Sequence, residues 1–367
     1  MRPGLALLVA MLLTVGGLAV LVLLIPAAPM TGDGQYYIQF VRNGLQHGAS
    51  SWHERRLLGP LIVRALPMDA QPGFFVLTSV SLGVTAVLTW AAARELVHNE
   101  ARALVAIPLL FGTWVVAPNL REYGLVDPLA WAFVAGVWWA TVRRQWYVAA
   151  VVAAVGVVAK EIVVLAAVAA AAAAFDRQKP WQTAVVAGPA LLVALGLTVF
   201  FPGSGSDGVA YVFKWVRDGL FSNGVPRAGF LLFASYAALW LLIPLGWSSL
   251  PGYLQRAGAV FLAAAVALPL VGSPERMEEA IFPLVITCAL LATRTWDPRL
   301  VWLLALACVV FVARIGGDAR IPTPVAWAGL AVALALIAWC YATVLGFRRA
   351  PAPAPAAGPP GTTVPSP

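Results

Sequence analysis

Long apolar runs separated by short polar connectors dominate the chain. A helix that crosses the roughly 30 Å hydrocarbon core of a bilayer needs about 20 apolar residues. The predicted membrane spans are 5–25, 72–93, 101–118, 124–142, 146–159, 162–175, 182–201, 227–249, 257–272, 279–293, 299–314 and 324–347. The pattern therefore predicts an all-α fold: a polytopic transmembrane bundle of about twelve helices, forming a single domain over residues 1–349.

One charged pair interrupts this pattern. The runs 146–159 and 162–175 are short for membrane spans, and Lys160 and Glu161 separate them. A charged pair at mid-bilayer would cost about 5 kcal/mol or more. We therefore expect a tight hairpin or a broken pair of helices that meet at the membrane interface. A single long helix is the alternative, and it would invert every later span.

The two ends of the chain have different compositions. The run 5–25 is about 20 residues long, which favours an uncleaved first helix over a signal peptide. The final segment, 350–367, reads APAPAPAAGPPGTTVPSP and is too poor in large apolar residues to bury a core. We expect it to be a disordered cytoplasmic tail.

Composition supports a lipid environment. Of 367 residues, 61% are hydrophobic and 11% are charged, whereas a soluble domain averages about 25% charged residues. The net charge of +8 comes from Lys and Arg in short connectors rather than on one basic face, which argues against nucleic acid as a partner.

No metal or cofactor motif is evident in the sequence. The three cysteines lie inside apolar runs and offer no disulfide or zinc spacing, and the three histidines, His47, His53 and His98, form no metal-ligand pattern. We predict no metal site and identify no cofactor, and a divalent cation stays an open alternative.

Charge sorts the loops into two sides. With the hairpin in place, one side holds twelve basic and four acidic residues, and the other holds twelve of each. We assign the first side, together with both termini, to the cytoplasm of a bacterial plasma membrane, because its cations sit in very short connectors beside helix ends. These cations are Arg2, Arg94, Arg102, Arg143, Arg144, Arg177, Lys179, Arg256, Arg294, Arg299, Arg348 and Arg349.

The first outer loop, 26–71, is unusually polar and aromatic. It contains GDGQYYIQFVRNGLQHGASSWHERRLLGPLIVRALP, in which Asp33 lies between two glycines and is followed by Tyr36 and Tyr37. The amphipathic stretch after the tyrosines is typical of helices that lie flat on a membrane interface. We therefore predict interfacial helices in this loop.

The same loop continues with Glu54, Arg55 and Arg56. These side chains would lie near the level of the lipid headgroups. A simpler interpretation is that the arginines only anchor a helix to phosphates and that Asp33 only begins or caps a helix.

Three further polar clusters are predicted on the same outer side. The loop NLREYGLVDP holds Glu122 and Asp127, Lys160 and Glu161 form the helix break, and SPERMEEAIFP holds Glu275 and Arg276. Asp127 before Pro128 also fits ordinary helix capping. Lys160 and Glu161 have no capping role and must each find a partner or water.

Acids and arginines near interfacial aromatic residues suit a reaction on a lipid phosphate. Arginine binds phosphate oxygens bidentately, and glycosyl transfer needs a carboxylate near the acceptor hydroxyl to take its proton. We predict Asp33 as the catalytic base. The predicted donor-phosphate ligands are Arg55, Arg56, Lys160 and Arg276, and the predicted supporting or acceptor-site residues are Tyr36, Tyr37, Glu54, Glu122, Asp127, Glu161 and Glu275.

At these residues the sequence resembles the GT-C superfamily of integral-membrane glycosyltransferases. The resemblance rests on Asp33 with Tyr-Tyr, the downstream ERRLLGP, the VDP start at Asp127, the Lys160–Glu161 break and, more weakly, ERMEEAIFP. It implies a GT-C-like bundle and an inverting transferase that uses a polyprenyl-phosphate-linked sugar, with Asp33 as base and an extracytoplasmic active site. Asp33 stands alone where the family often has a second acid in this loop, and the acceptor is not identified.

Two other classes of function remain open on sequence grounds. A transporter or lipid-linked-sugar flippase fits twelve spans and intramembrane charges. However, the two halves of the chain show no internal repeat, and the charges concentrate at one face. A non-catalytic scaffold on the same fold is the third hypothesis.

Overall fold

Helices form all the regular secondary structure of the described residues. The computed structural model describes residues 3–30, 32–45, 51–201, 225–267 and 279–349. The helices are α1 Pro3–Leu24, α2 Asp33–Asn43, α3 Ser51–Arg55, α4 Leu58–Ala65, α5 Ala70–Val97, α6 Glu100–Ala103, α7 Ala106–Phe111, α8 Ala117–Arg121, α9 Asp127–Val142, α10 Trp146–Ala159, α11 Val163–Ala174, α12 Trp181–Phe200, α13 Val225–Tyr236, α14 Ile243–Trp247, α15 Gly252–Ala267, α16 Phe282–Ala292, α17 Pro298–Gly317 and α18 Thr323–Arg349. Short 3₁₀ helices at Ala237–Leu242 and Glu279–Ile281 precede α14 and α16.

Several of these helices match the dimensions of a bilayer. Within the described ranges, six are long and apolar enough to cross a membrane by length and composition: Gly4–Leu24, Ala70–Val97, Trp181–Phe200, Gly229–Trp247, Pro298–Gly317 and Thr323–Val344. Four further apolar helices are shorter: Trp146–Ala159, Val163–Ala174, Gly252–Ala267 and Glu279–Ala292. The chain is thus an integral membrane protein whose described residues form only helices as regular secondary structure, and the number of twelve crossings stays a prediction.

The end of α1 lies close to α8 and to the start of α16 at one end of the bundle. The Arg320 N–H donates to the Leu24 carbonyl oxygen at 2.9 Å. Asn119 Nδ2 in α8 donates to Glu279 Oε2 at 3.0 Å, and α1 contacts α8 beside it. We call this end, defined by Leu24, Asn119 and Glu279, the distal end, because the first residue of α1 lies away from it.

The opposite end is held by arginine contacts. Arg143 after α9 forms an ion pair with Glu95 in the last turn of α5 at 3.7 Å, and Arg102 Nη2 donates to the Trp296 carbonyl oxygen at 2.9 Å. Arg256 in α15 donates to the last carbonyl groups of α11. We call this the proximal end. All three arginines belong to the set that the sequence assigns to one side and lie at this one end of the bundle, whereas the sidedness of the loops in the membrane stays a prediction.

The predicted break between α10 and α11 is confirmed as a hairpin. Lys160 leaves the helical conformation, with φ −165° and ψ 138°. Tyr253 Oη donates to the Val142 carbonyl at the end of α9, which fixes the start of α10 at the proximal end, where Arg256 also holds the end of α11. The two helices are therefore antiparallel, and Lys160 and Glu161 form the tip at the distal end. A single long helix is ruled out.

The prediction of one continuous span over 101–118 was wrong. The segment passes from the proximal to the distal end as three short helices, α6 to α8, with turns between them. Nearly all of it is buried, and the Trp114 N–H in the second turn donates to the Ser235 carbonyl oxygen at 2.7 Å. Broken backbone at membrane depth is tolerated where protein surrounds it and satisfies its polar groups. Pro108 and Gly112 in the run are compatible with these breaks, but the mostly apolar pattern alone did not locate them.

The first outer loop forms a small cap of three helices, α2 to α4, at the distal end. Tyr37, Val63, Phe74, Leu77 and Val126 form a separate buried cluster beneath it. The expectation of helices in this loop is confirmed. The predicted tail, 350–367, and residues 202–224 of the connector between α12 and α13 lie outside the described residues.

Candidate functional site

Asp33 and His53 face each other within the cap. Asp33 is the first residue of α2, and Gly32 before it has a φ of +52°, in the region that favours glycine. Its Oδ1 lies 2.9 Å from His53 Nε2 in α3. The two atoms are at hydrogen-bond distance, although the geometry does not meet that of a hydrogen bond. The carboxylate and the imidazole are thus within reach of proton exchange.

Two tyrosine rings enclose the imidazole. The ring centroid of His53 lies 4.8 Å from that of Tyr36 and 5.6 Å from that of Tyr37. Burial, and secondly the charge of Glu54, raises the pKa of Tyr36 above its usual value. Burial also raises the pKa of Tyr37 strongly, although Arg56 acts in the opposite direction. Both hydroxyls therefore stay protonated at neutral pH.

Arg56 joins the cap to the tip of the hairpin. Its Nε donates to Glu161 Oε2 at 3.0 Å and its Nη2 donates to Glu161 Oε1 at 2.5 Å, a two-pronged pair. Its Nη1 also donates to the Tyr37 hydroxyl at 3.4 Å. Burial is the largest influence and acts to lower the pKa of Arg56, but the charge and hydrogen bonds of Glu161, together with the charges of Tyr37 and Asp127, outweigh it, and the net shift is upward. The guanidinium is therefore fixed in its charged form.

A second ion pair, between Lys160 and Asp127, is more deeply buried than the pair of Arg56 and Glu161. Lys160 Nζ donates to Asp127 Oδ1 at the start of α9, with side-chain exposures of 4% and 2%. The ammonium also lies 5.6 Å from the centre of the Trp131 ring, within cation–π range. Asp127 is the first residue of α9, after the N-cap Val126, and its carboxylate binds Lys160. Asp127 is thus the ion-pair partner that the sequence predicted for Lys160 without identifying it.

The other predicted site residues differ in their contacts and burial. Arg55 donates through Nε and Nη2 to the Phe201 carbonyl oxygen at the end of α12, at 3.1 and 3.0 Å. Glu54 is buried, whereas Glu122 is exposed at the end of α8. Glu275 and Arg276 lie outside the described residues.

A neighbouring buried acid was given no role by the sequence. Glu279 is 1% exposed, and Asn119 donates to its carboxylate. Tyr236 Oη donates to the Glu279 backbone carbonyl at 3.0 Å. These three residues tie α8, α13 and the start of α16 together at the distal end.

The structure thus gathers eight residues from four parts of the chain: Asp33, Tyr36, Tyr37, His53, Arg56, Asp127, Lys160 and Glu161. His53 is the one that the sequence did not single out, because only folding brings α3 against the start of α2. The arrangement can move a proton through Asp33 and His53 and can present a fixed positive charge at Arg56. Across the described ranges, no group of three or more His, Cys, Asp or Glu side chains could hold a metal ion.

Comparison with known proteins gives no match: no family model, no curated protein and no solved structure is similar to this chain.

Proposed function

We propose that the chain is an inverting membrane glycosyltransferase that moves a sugar from a polyprenyl-phosphate donor to a hydroxyl acceptor. In the reaction, the acceptor oxygen bonds to the anomeric carbon while the bond from that carbon to the phosphate oxygen breaks. The phosphate leaves with the bonding electrons, and the acceptor proton passes to a base of the protein. The resemblance to the GT-C superfamily, stated from the sequence, leads to the same proposal.

The observation that carries the proposal is the pairing of Asp33 with His53 directly beside Arg56 at one end of membrane helices. A polyprenyl-phosphate sugar keeps its tail in the bilayer and its phosphate at the headgroup level, and the cap helices α2 to α4 lie at that end. We place the distal end outside the cytoplasm and both termini inside, in a bacterial plasma membrane.

Asp33 is the proposed base, and His53 supports it. A base must lie within about 3 Å of the proton that it takes or reach it through one group. Asp33 can act directly, or it can orient His53 and stabilise the imidazolium that forms when the ring takes the proton. In both cases the two side chains act as one unit.

Arg56 is the proposed contact for the donor phosphate. A guanidinium has five N–H groups, and the bonds to Glu161 and Tyr37 use three of them. The other two suit a phosphate oxygen, so the pair with Glu161 need not break. Lys160 and Arg55 are engaged with Asp127 and a backbone carbonyl, and their proposed role is support of the site.

A transporter or flippase for lipid-linked sugars is the second candidate. The deeply buried Lys160–Asp127 pair favours it, because intramembrane ionisable pairs often mark ion or proton pathways. Such a protein would move a lipid-linked sugar without cleaving it.

Incubation of the purified full chain with radiolabelled polyprenyl-phosphate sugars and an acceptor extract separates the two candidates. In detergent there are no two sides, so a transporter produces no product, whereas a transferase releases polyprenyl phosphate and labels the acceptor. No cleavage of any donor in detergent, together with donor movement across sealed vesicles, would support the transporter instead.

A further inference from the structure

A groove outside the Asp33 cluster runs along the first helix. It lies between α1, α7 and α17 and has a volume of about 550 Å³, within the 300–1,000 Å³ typical of ligand pockets. Its lining is apolar throughout and includes Leu12, Gly16, Leu24, Phe111, Leu306 and Ile321. A groove of this character suits a hydrocarbon chain.

The groove has the depth of one leaflet. The lining residues of α1 extend from Leu12 to Leu24, which is about 18 Å of helix at 1.5 Å per residue. Half of a hydrocarbon core is about 15 Å. Because Leu24 is the last residue of α1, the groove begins near the middle of the bilayer and reaches the membrane surface at the distal end.

Three arginines lie where the groove reaches that surface. The Arg320 N–H donates to the carbonyl oxygen of Leu24, itself a lining residue. Arg314 Nη1 donates to Asp318 Oδ1 at 2.5 Å, and Arg121 Nη2 lies 3.7 Å from Asp318 Oδ2. Three cations against Asp318 leave a charge of +2, and counting the exposed Glu122 beside Arg121 still leaves +1. We call Arg121, Arg314 and Arg320 the arginine cluster.

We infer that this groove and the arginine cluster form a binding site for an anionic membrane phospholipid. One acyl chain lies in the groove, and the phosphate lies among the arginines, which bind phosphate oxygens through charge-assisted hydrogen bonds. The leaflet-length groove fits an ordinary phospholipid better than a polyprenyl chain that exceeds one leaflet. The lipid site uses none of the residues proposed for glycosyl transfer. A result that rules out one of the two proposals therefore does not rule out the other.

The test measures binding of radiolabelled dioleoyl phosphatidylglycerol to the full chain in a neutral detergent. Unlabelled phosphatidylglycerol should compete about tenfold better than phosphatidylcholine of the same chain length, because each arginine near the headgroup favours the anionic lipid. Glycerol 3-phosphate alone should compete poorly, because it lacks the chain. Equal competition by the two phospholipids would overturn the inference.

Charge variants test the headgroup contact. Arg121→Gln combined with Arg320→Gln should remove most of the preference for phosphatidylglycerol. Arg177→Gln combined with Arg299→Gln changes the charge equally at exposed proximal positions and should keep the preference. Arg314 is left in place because it bonds to Asp318, the residue that caps α17. Loss of the preference in both double variants would contradict a localised site.

Glycine variants test the chain contact. Gly16 lines the groove with nothing within 4 Å of an added Cβ, so Gly16→Leu should fill the groove and weaken phosphatidylglycerol binding severalfold. Gly4→Leu, in the same helix with equally open space but outside the groove, is the matched control. Unchanged binding in Gly16→Leu, or polyprenyl phosphate displacing the label at lower concentration than phosphatidylglycerol, would overturn the assignment.

Discussion

The two ion pairs of the distal end differ in how far they are withdrawn from water. The side chains of Lys160 and Asp127 are 4% and 2% exposed, whereas those of Arg56 and Glu161 are 11% and 37% exposed. Removing one partner of a buried pair strands the other charge and costs roughly 3–5 kcal/mol. An exposed pair contributes about 0–1 kcal/mol.

Neutral substitutions should therefore rank by burial. We expect Asp127→Asn to lower the free energy of unfolding by about 3 kcal/mol or more. Glu161→Gln should cost less because water screens its carboxylate, and Asp318→Asn, at 51% exposure, should cost least. Chemical denaturation in detergent measures all three, and equal midpoints for Asp127→Asn and Asp318→Asn would contradict the assignment of a desolvated pair.

His53 gives a prediction on turnover. If the imidazole shares the proton with Asp33, His53→Asn should lower kcat by about tenfold to a hundredfold. The matched control is His98→Asn, an exposed residue with φ +49° at the end of α5, which should leave kcat unchanged. Wild-type kcat in His53→Asn would remove the imidazole from proton transfer.

Single residues show why part of the site could be predicted from the sequence. Lys160 stood out because an ammonium inside an apolar run must have a partner, and the need for one could be inferred without naming Asp127. His53 carries no such signal: a histidine in a polar loop is unremarkable until folding brings it 2.9 Å from Asp33. Chemistry of isolated residues is therefore predictable, and pairing between loops is not.

At the scale of elements, the α10–α11 hairpin depends on close packing near its tip. A Cβ on Gly156 would lie 2.7 Å from Phe133 Cβ and 2.8 Å from Val163 Cγ1. Gly156→Val should therefore destabilise the protein by about 1–3 kcal/mol through overpacking. Gly188→Val in α12, where an added Cβ meets nothing within 4 Å, is the control for the loss of a helical glycine. Equal stability of the two variants in detergent denaturation would argue against this packing.

Helices were predictable where one physical signal set their limits. Charged residues end α10, and α12 and α18 begin and end within a few residues of the predicted runs. The breaks in α6 to α8 depend on tertiary contacts such as the bond from Trp114 to the Ser235 carbonyl. A pattern of apolar residues cannot contain that information.

At the scale of the whole molecule, the contacts require the loops to alternate between two ends. Arg143→Cys and Arg177→Cys place thiols in two proximal connectors, and Glu122→Cys places one at the distal end. The three native cysteines are buried, so an impermeant maleimide should label only the new thiols. In oriented membrane vesicles, the first two should be labelled from one side and Glu122→Cys from the other. Labelling of Arg143→Cys and Arg177→Cys from opposite sides would contradict the hairpin.

We propose that the distal cluster transfers a sugar with Asp33 as base. The most direct measurement compares donor turnover by Asp33→Asn with turnover by Asp176→Asn, a matched change at an exposed proximal residue, in detergent with equal folded protein. We expect Asp33→Asn to lose about a hundredfold or more in kcat, whereas Asp176→Asn keeps wild-type turnover. Equal turnover of the donor by both variants would contradict it.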